Sequence, residues 1–232
     1  MRSPKAKNLH QRIAAFHGRL VADPHHRYRS WEYCYRFFRS RTRQALIGEK
    51  NAAALQLGFY LASWGMYRGS SFLLQRAYTV HEGVVERLAS PQFADLWEKE
   101  VGSDASDVRF VHAILAAVTA VKEAYAPFGV ATDTLATKVI LGTLACLPAC
   151  DRFFIDGFKE SGHQYSYLNA KFVERILQFC VECGAELRNE QAQIESAEGM
   201  HYPLMKLADM YFWQIGYEAA TRTAGGEPDP PD

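Results

Sequence analysis

The sequence predicts an all-α protein. Three observations carry that expectation: apolar residues recur at three- and four-residue spacing along most of the chain, strand-like alternation is scarce, and capping residues or prolines stand where the periodic stretches begin. No internal repeat is visible, so a single compact multi-helix fold is expected rather than a solenoid.

The elements follow in order. Leu9, Ile13, Phe16 and Leu20 mark a first helix from Asn8 to Val21, stopped by Asp23-Pro24. Ser30 is an N-cap for a helix from Trp31 to Leu46, with Glu32 in its first turn. Lys50 to Gln75 reads as another helix, broken near Gly65 and Gly69. Thr79 caps a shorter helix to Leu88, Pro91 opens one to Glu100, and Asp107 caps Val108 to Tyr125. Pro127-Phe-Gly-Val-Ala is a turn, followed by a helix over 134–145, the break Leu147-Pro-Ala-Cys, and a helix from Asp151. Ser166 caps a long amphipathic helix through Leu168, Phe172, Ile176 and Cys183, and Pro203 opens the last helix, Leu204 to Thr221. Residues 1–222 thus form one helical domain, or two packed lobes, and residues 223–232 an acidic tail expected to be disordered.

Bulk properties narrow the function. A chain of 232 residues with 48% hydrophobic and 22% charged content is ordinary for a globular protein. The longest apolar stretch, Phe110 to Val121, is too short to cross a bilayer, and Met1-Arg-Ser-Pro-Lys begins no signal sequence, so no membrane partner and a cytoplasmic location are expected. Five cysteines, including Cys180-Val-Glu-Cys183, have no second pair at metal-ligand spacing and read as buried thiols. The histidines form no HxxxH or HExxH pair, and no phosphate loop or hydrolase elbow is present, so neither a metal nor another cofactor is expected. Net charge is zero but uneven. Residues 1–50 carry twelve basic and three acidic residues, a local charge of +9, against −9 for the remainder, which points to a polyanionic partner.

Three stretches could carry chemistry. His25 to Arg43 interleaves cations and aromatics, and Arg29, Arg36 and Arg43 recur every seven residues, with Arg39 on the same side. Such a face can hold phosphates; the alternative is a solvated basic face over an aromatic core. Phe59 to Phe72 mixes small residues with large aromatics, and Trp64, Met66, Tyr67 and Arg68 could wall a pocket for a planar base; the alternative is close helix packing. Asp151 stands after a Pro-containing turn at the start of a helix, where a fixed carboxylate could stabilise positive charge on a sugar; the alternative is a plain N-cap.

Residues 124–160 resemble the helix-hairpin-helix DNA glycosylase superfamily. Pro127-Phe-Gly129-Val130-Ala131 is similar to that family's phosphate-binding hairpin, the helix from Thr137 to Thr143 to its second hairpin helix, and Asp151 falls at its catalytic aspartate. The resemblance implies a helix-hairpin-helix glycosylase-like fold. It implies DNA contacts at Gly129, Val130, Ala131 and Lys138 and a partner of double-stranded DNA bearing a modified base; the sequence leaves the oligomeric state open, with a monomer expected. Leu135 stands where a lyase-type member carries its amine nucleophile, and Lys138 lies one turn on, so water is the expected nucleophile. The absence of iron–sulfur cysteines also resembles the phage-defence glycosylases that remove glucosylated hydroxymethylcytosine. Rivals from other classes are a non-catalytic helical DNA-binding module and a protein-interaction module.

Overall fold

The computed structural model describes residues 6–224. Among these, twelve α-helices and four 3-10 segments account for the regular structure, with no strand. The α-helices are α1 (Leu9–Ala22), α2 (Arg29–Arg39), α3 (Arg43–Gly48), α4 (Lys50–Ser63), α5 (Glu82–Leu88), α6 (Ala94–Glu98), α7 (Val111–Tyr125), α8 (Asp133–Thr143), α9 (Arg152–Glu160), α10 (Ala170–Glu182), α11 (Gly184–Glu198) and α12 (Leu204–Ala224). The tail expected to be disordered begins inside α12, and residues 225–232 lie outside the described residues. No helix among the described residues is long and apolar enough to cross a membrane.

Several boundaries differ from the sequence expectation for local reasons. The helix expected over Trp31 to Leu46 is two helices, because the Thr42 hydroxyl accepts the Ala45 N–H at 3.2 Å and starts α3. Helix α4 stops at Ser63 because Gly65 and Gly69 take left-handed backbone angles, φ 79° and 58°. A side chain with a Cβ resists that region, so these glycines shape a turn rather than a helix. Asp107 does not open α7. Its carboxylate accepts the Gly102 and Ser103 N–H groups at 2.9 and 3.0 Å, folding the preceding loop, and Asp104 caps the 3-10 turn. Asn169 rather than Ser166 caps α10, accepting the Phe172 N–H at 3.0 Å, and the long helix breaks at Cys183. All five cysteines are buried free thiols.

The core is organised round α12, whose residues 204–216 are buried on every side. Gly157 and Gly216 set the crossing of α9 on α12. A Cβ at Gly157 would overlap the Phe212 carbonyl oxygen, and one at Gly216 that of Phe153. The two backbones touch, and around that contact Phe158 meets Phe212 at 5.1 Å and Phe153 meets Trp213 at 5.2 Å between ring centroids. Gly142 lets α8 approach α4, because a Cβ there would lie 2.5 Å from the Tyr60 ring. The close α9–α12 and α4–α8 contacts hold the loop between α8 and α9, with Asp151 at its end, inside the protein.

Candidate functional site

Asp151 is the N-cap of α9, and its Oδ1 accepts the Phe154 N–H at 3.0 Å. The loop before it is held by side chains. Thr134 Oγ1 donates to the Cys150 carbonyl at 3.0 Å, Thr137 Oγ1 accepts the Cys150 N–H at 2.8 Å, and Asp209 Oδ1 accepts the Ala149 N–H at 3.0 Å. Ala145, at the loop's start, is a non-glycine residue in the left-handed region, φ 51°. Such strain persists only where the surroundings over-determine the backbone.

Asp151 is enclosed, its side chain 1% exposed. Lys138, at which the resemblance implies a DNA contact, is enclosed as well. Helix α8 is buried from Leu135 through Thr143, so no solvent face exists at Lys138. Its Nζ instead lies 3.1 Å from Asp151 Oδ2 and donates to the Trp64 carbonyl at 3.3 Å. The Lys138–Asp151 approach is an ion-pair contact without hydrogen-bond alignment, so Oδ2 keeps no directed donor. A second buried pair stands close by, Lys206 Nζ to Asp209 Oδ2 at 2.9 Å. Burial pushes the Asp209 carboxyl above its ordinary pKa, with Lys206 acting in the opposite sense and Asp151 adding to the rise. The Trp64 ring receives both ammonium groups, at 5.2 Å from Lys138 and 5.4 Å from Lys206. Two ion pairs in an aromatic core are costly to desolvate.

Beside this cluster is a cleft of about 620 Å³, within the range of small-molecule sites. Met66, Arg68 and Phe72 form one wall, Val130 and Leu135 the other. Lys138 donates to the carbonyl of Trp64, the residue before the cleft-lining Gly65, and stands one helical turn after the cleft-lining Leu135. Of the four residues expected to wall a base pocket, Met66 and Arg68 line this cleft. Trp64 does not: it is 6% exposed and stacks on Tyr28 at 4.6 Å in the core. Tyr67 is half-buried and turns to His81.

The hairpin expected at 127–131 joins α7 to α8. Gly129 is required by space rather than by φ, since a Cβ there would meet the Phe72 ring at 2.6 Å. The Phe128 and Gly129 N–H groups both donate to the Tyr125 carbonyl, at 2.8 and 3.1 Å. Those of Val130 and Ala131 have no partner among the described residues, and Val130 is 91% exposed. Of these, the N–H of the exposed Val130 is the donor a phosphate could use, since Ala131 is buried.

His81 is fully buried, with Nε2 2.6 Å from the Tyr67 hydroxyl and Nδ1 2.6 Å from that of Tyr125. Burial pushes its pKa down to about 4, so the ring is neutral at pH 7. The enclosed Tyr125 hydroxyl has no other partner among the described residues, so its proton goes to Nδ1. Nε2 then carries the ring proton and donates to Tyr67, whose own O–H remains available to an acceptor.

The basic face is dispersed. Arg29 is directed inward, to Glu32 at 2.9 Å, Glu198 at 3.0 Å and the Leu20 carbonyl at 2.7 Å. Arg36 reaches Met200 Sδ at 3.5 Å, and Arg39 donates to the Trp97 carbonyl. Arg43 belongs to α3, so the heptad run does not share one helix face.

No known protein family, curated protein or solved structure matches this chain.

Sequence reasoning missed Lys206, Asp209, His81 and Tyr125. Lys206-Leu-Ala-Asp209 sits inside an otherwise apolar helix, and two opposite charges three residues apart there were a legible signal of a buried pair.

Proposed function

We propose that this protein is a monofunctional DNA glycosylase. In this reading the hairpin and the first turn of α8 approach the DNA backbone, an extruded base enters the cleft, and Asp151 stabilises positive charge on the deoxyribose while water attacks C1′; the base leaves with the bond electrons, the water's proton is released, and the base takes up one proton, so the products are the neutral base and the C1′ hydroxyl. The observation that carries it is the Lys138–Asp151 pair, whose Oδ2 lacks an aligned donor, one helical turn from the cleft wall at Leu135. A buried carboxylate oxygen without an aligned donor calls for an explanation, and a catalytic role is one. Since the pair is enclosed, the sugar reaches Asp151 only when the cleft wall at Leu135 yields. Nucleotides carrying a bulky modified base, such as glucosylated hydroxymethylcytosine, suit the cleft's volume.

A second reading has its own observation. Asp151 already caps α9 and pairs with Lys138, a complete structural role. On that reading the chain is a non-catalytic DNA-binding module. Incubation with duplexes containing glucosylated hydroxymethylcytosine, 8-oxoguanine or alkylated bases, followed by alkali, separates the two. Strand breaks at the modified position support the glycosylase. Salt-dependent binding without breaks supports the module, and no binding at low salt removes both.

A further inference from the structure

We propose that His17, Glu32 and Glu198 form a binding site for a divalent transition-metal ion of the zinc type, joining α1, α2 and the end of α11. One ligand atom from each residue lies within 4.8 Å of the others. His17 is 9% exposed, and its Nε2 is buried without a hydrogen-bond partner. That nitrogen nevertheless stands 3.2 Å from Glu198 Oε1. A close nitrogen–oxygen approach without hydrogen-bond alignment is the relation of two ligands on one ion: bonds of about 2.0–2.1 Å at a tetrahedral angle put their donor atoms roughly 3.3 Å apart.

The surroundings suit such a site. Arg29 Nη1 holds Glu32 Oε2 at 2.9 Å and Glu198 Oε2 at 3.0 Å, and the Tyr202 hydroxyl donates to Glu32. Both carboxylates are thus oriented by neighbours, as ligating carboxylates are in metal sites. Two carboxylates facing one guanidinium leave a negative charge uncompensated. The Glu198 side chain is 17% exposed and provides the entry route. Imidazole with two carboxylates is a borderline-hard set that suits zinc, cobalt or manganese rather than copper(I). The site is separate from the cleft and independent of the glycosylase reading.

The test uses the full chain, treated with chelator and titrated with Co²⁺. One equivalent should give visible absorption bands that Zn²⁺ abolishes. His17→Gln and Glu198→Gln should weaken Co²⁺ binding at least tenfold, while His201→Gln, at a surface histidine, should not. No spectrum at one equivalent, or equal affinity in both site variants, overturns the proposal. Should a variant fail to fold, X-ray absorption of the zinc-loaded wild type decides. An imidazole nitrogen with carboxylate oxygens supports the site; a sulfur-containing or all-oxygen shell overturns it.

Discussion

Replacing Lys138 by Met tests the buried pair at the centre of the candidate site. Met fits the apolar surroundings but leaves the Asp151 carboxylate, 1% exposed, without its cation. Breaking one side of a buried ion pair costs about 3–5 kcal/mol. For a chain of this size each kcal/mol lowers Tm by roughly 2–4 °C, so a fall of roughly 6–20 °C is expected. Asp151→Asn keeps an oxygen able to accept the Phe154 N–H, so the cap of α9 survives that change. The double variant Lys138→Met/Asp151→Asn should therefore recover much of the loss, with a coupling of about 2 kcal/mol or more in a denaturant-melt cycle. A Lys138→Met cost below ~1 kcal/mol together with an additive cycle would refute the pair and the site built on it.

Three further outcomes are expected. Gly157→Ala forces a Cβ into the Phe212 carbonyl and should destabilise by about 3 kcal/mol, the upper part of the overpacking range, read by thermal melting; a wild-type Tm would mean that α9 and α12 do not touch there. His81, pushed down to about 4 from an unfolded value of 6.5, is protonated more readily in the unfolded chain between those values. Its contribution is therefore present above pH 6.5 and lost as pH falls toward 4, about 3 kcal/mol in all, and the stability gap between wild type and His81→Gln should narrow over that window. Val130→Glu, at the 91% exposed hairpin tip, should leave Tm within about 1 °C yet weaken duplex binding severalfold in a salt-dependent way, measured by fluorescence anisotropy.

Much of the fold was legible in the sequence because helical periodicity and caps are local signals. Asp151 opens α9 as its position after the Pro148 turn indicates, whereas α10 starts at Asn169 and not at the Ser166 that the pattern suggested. What was not legible depends on distant parts of the chain. The Gly157–Gly216 contact joins residues far apart in sequence, and neither glycine carries a local mark of it. Lys138 reads as a surface lysine until α4 and the loop before α9 are seen to enclose α8. The arginines of α2 read as one basic face because a seven-residue repeat ignores the Thr42 cap that divides the helix. Met66 and Arg68 line the cleft, but Trp64, in the same stretch, turned to the core, since periodicity fails where Gly65 bends the chain.

The most direct test of the central claim is base release by wild type and Asp151→Asn on one modified duplex, at a temperature where circular dichroism shows both folded. Abasic sites are counted after alkali, with single-turnover rates. The account predicts release by the wild type from at least one of the modified duplexes, loss of release in the Asn variant by a hundredfold or more, and DNA affinity unchanged within a factor of two or three. Release at the wild-type rate by folded Asp151→Asn would contradict it and leave Asp151 a helix cap paired with Lys138.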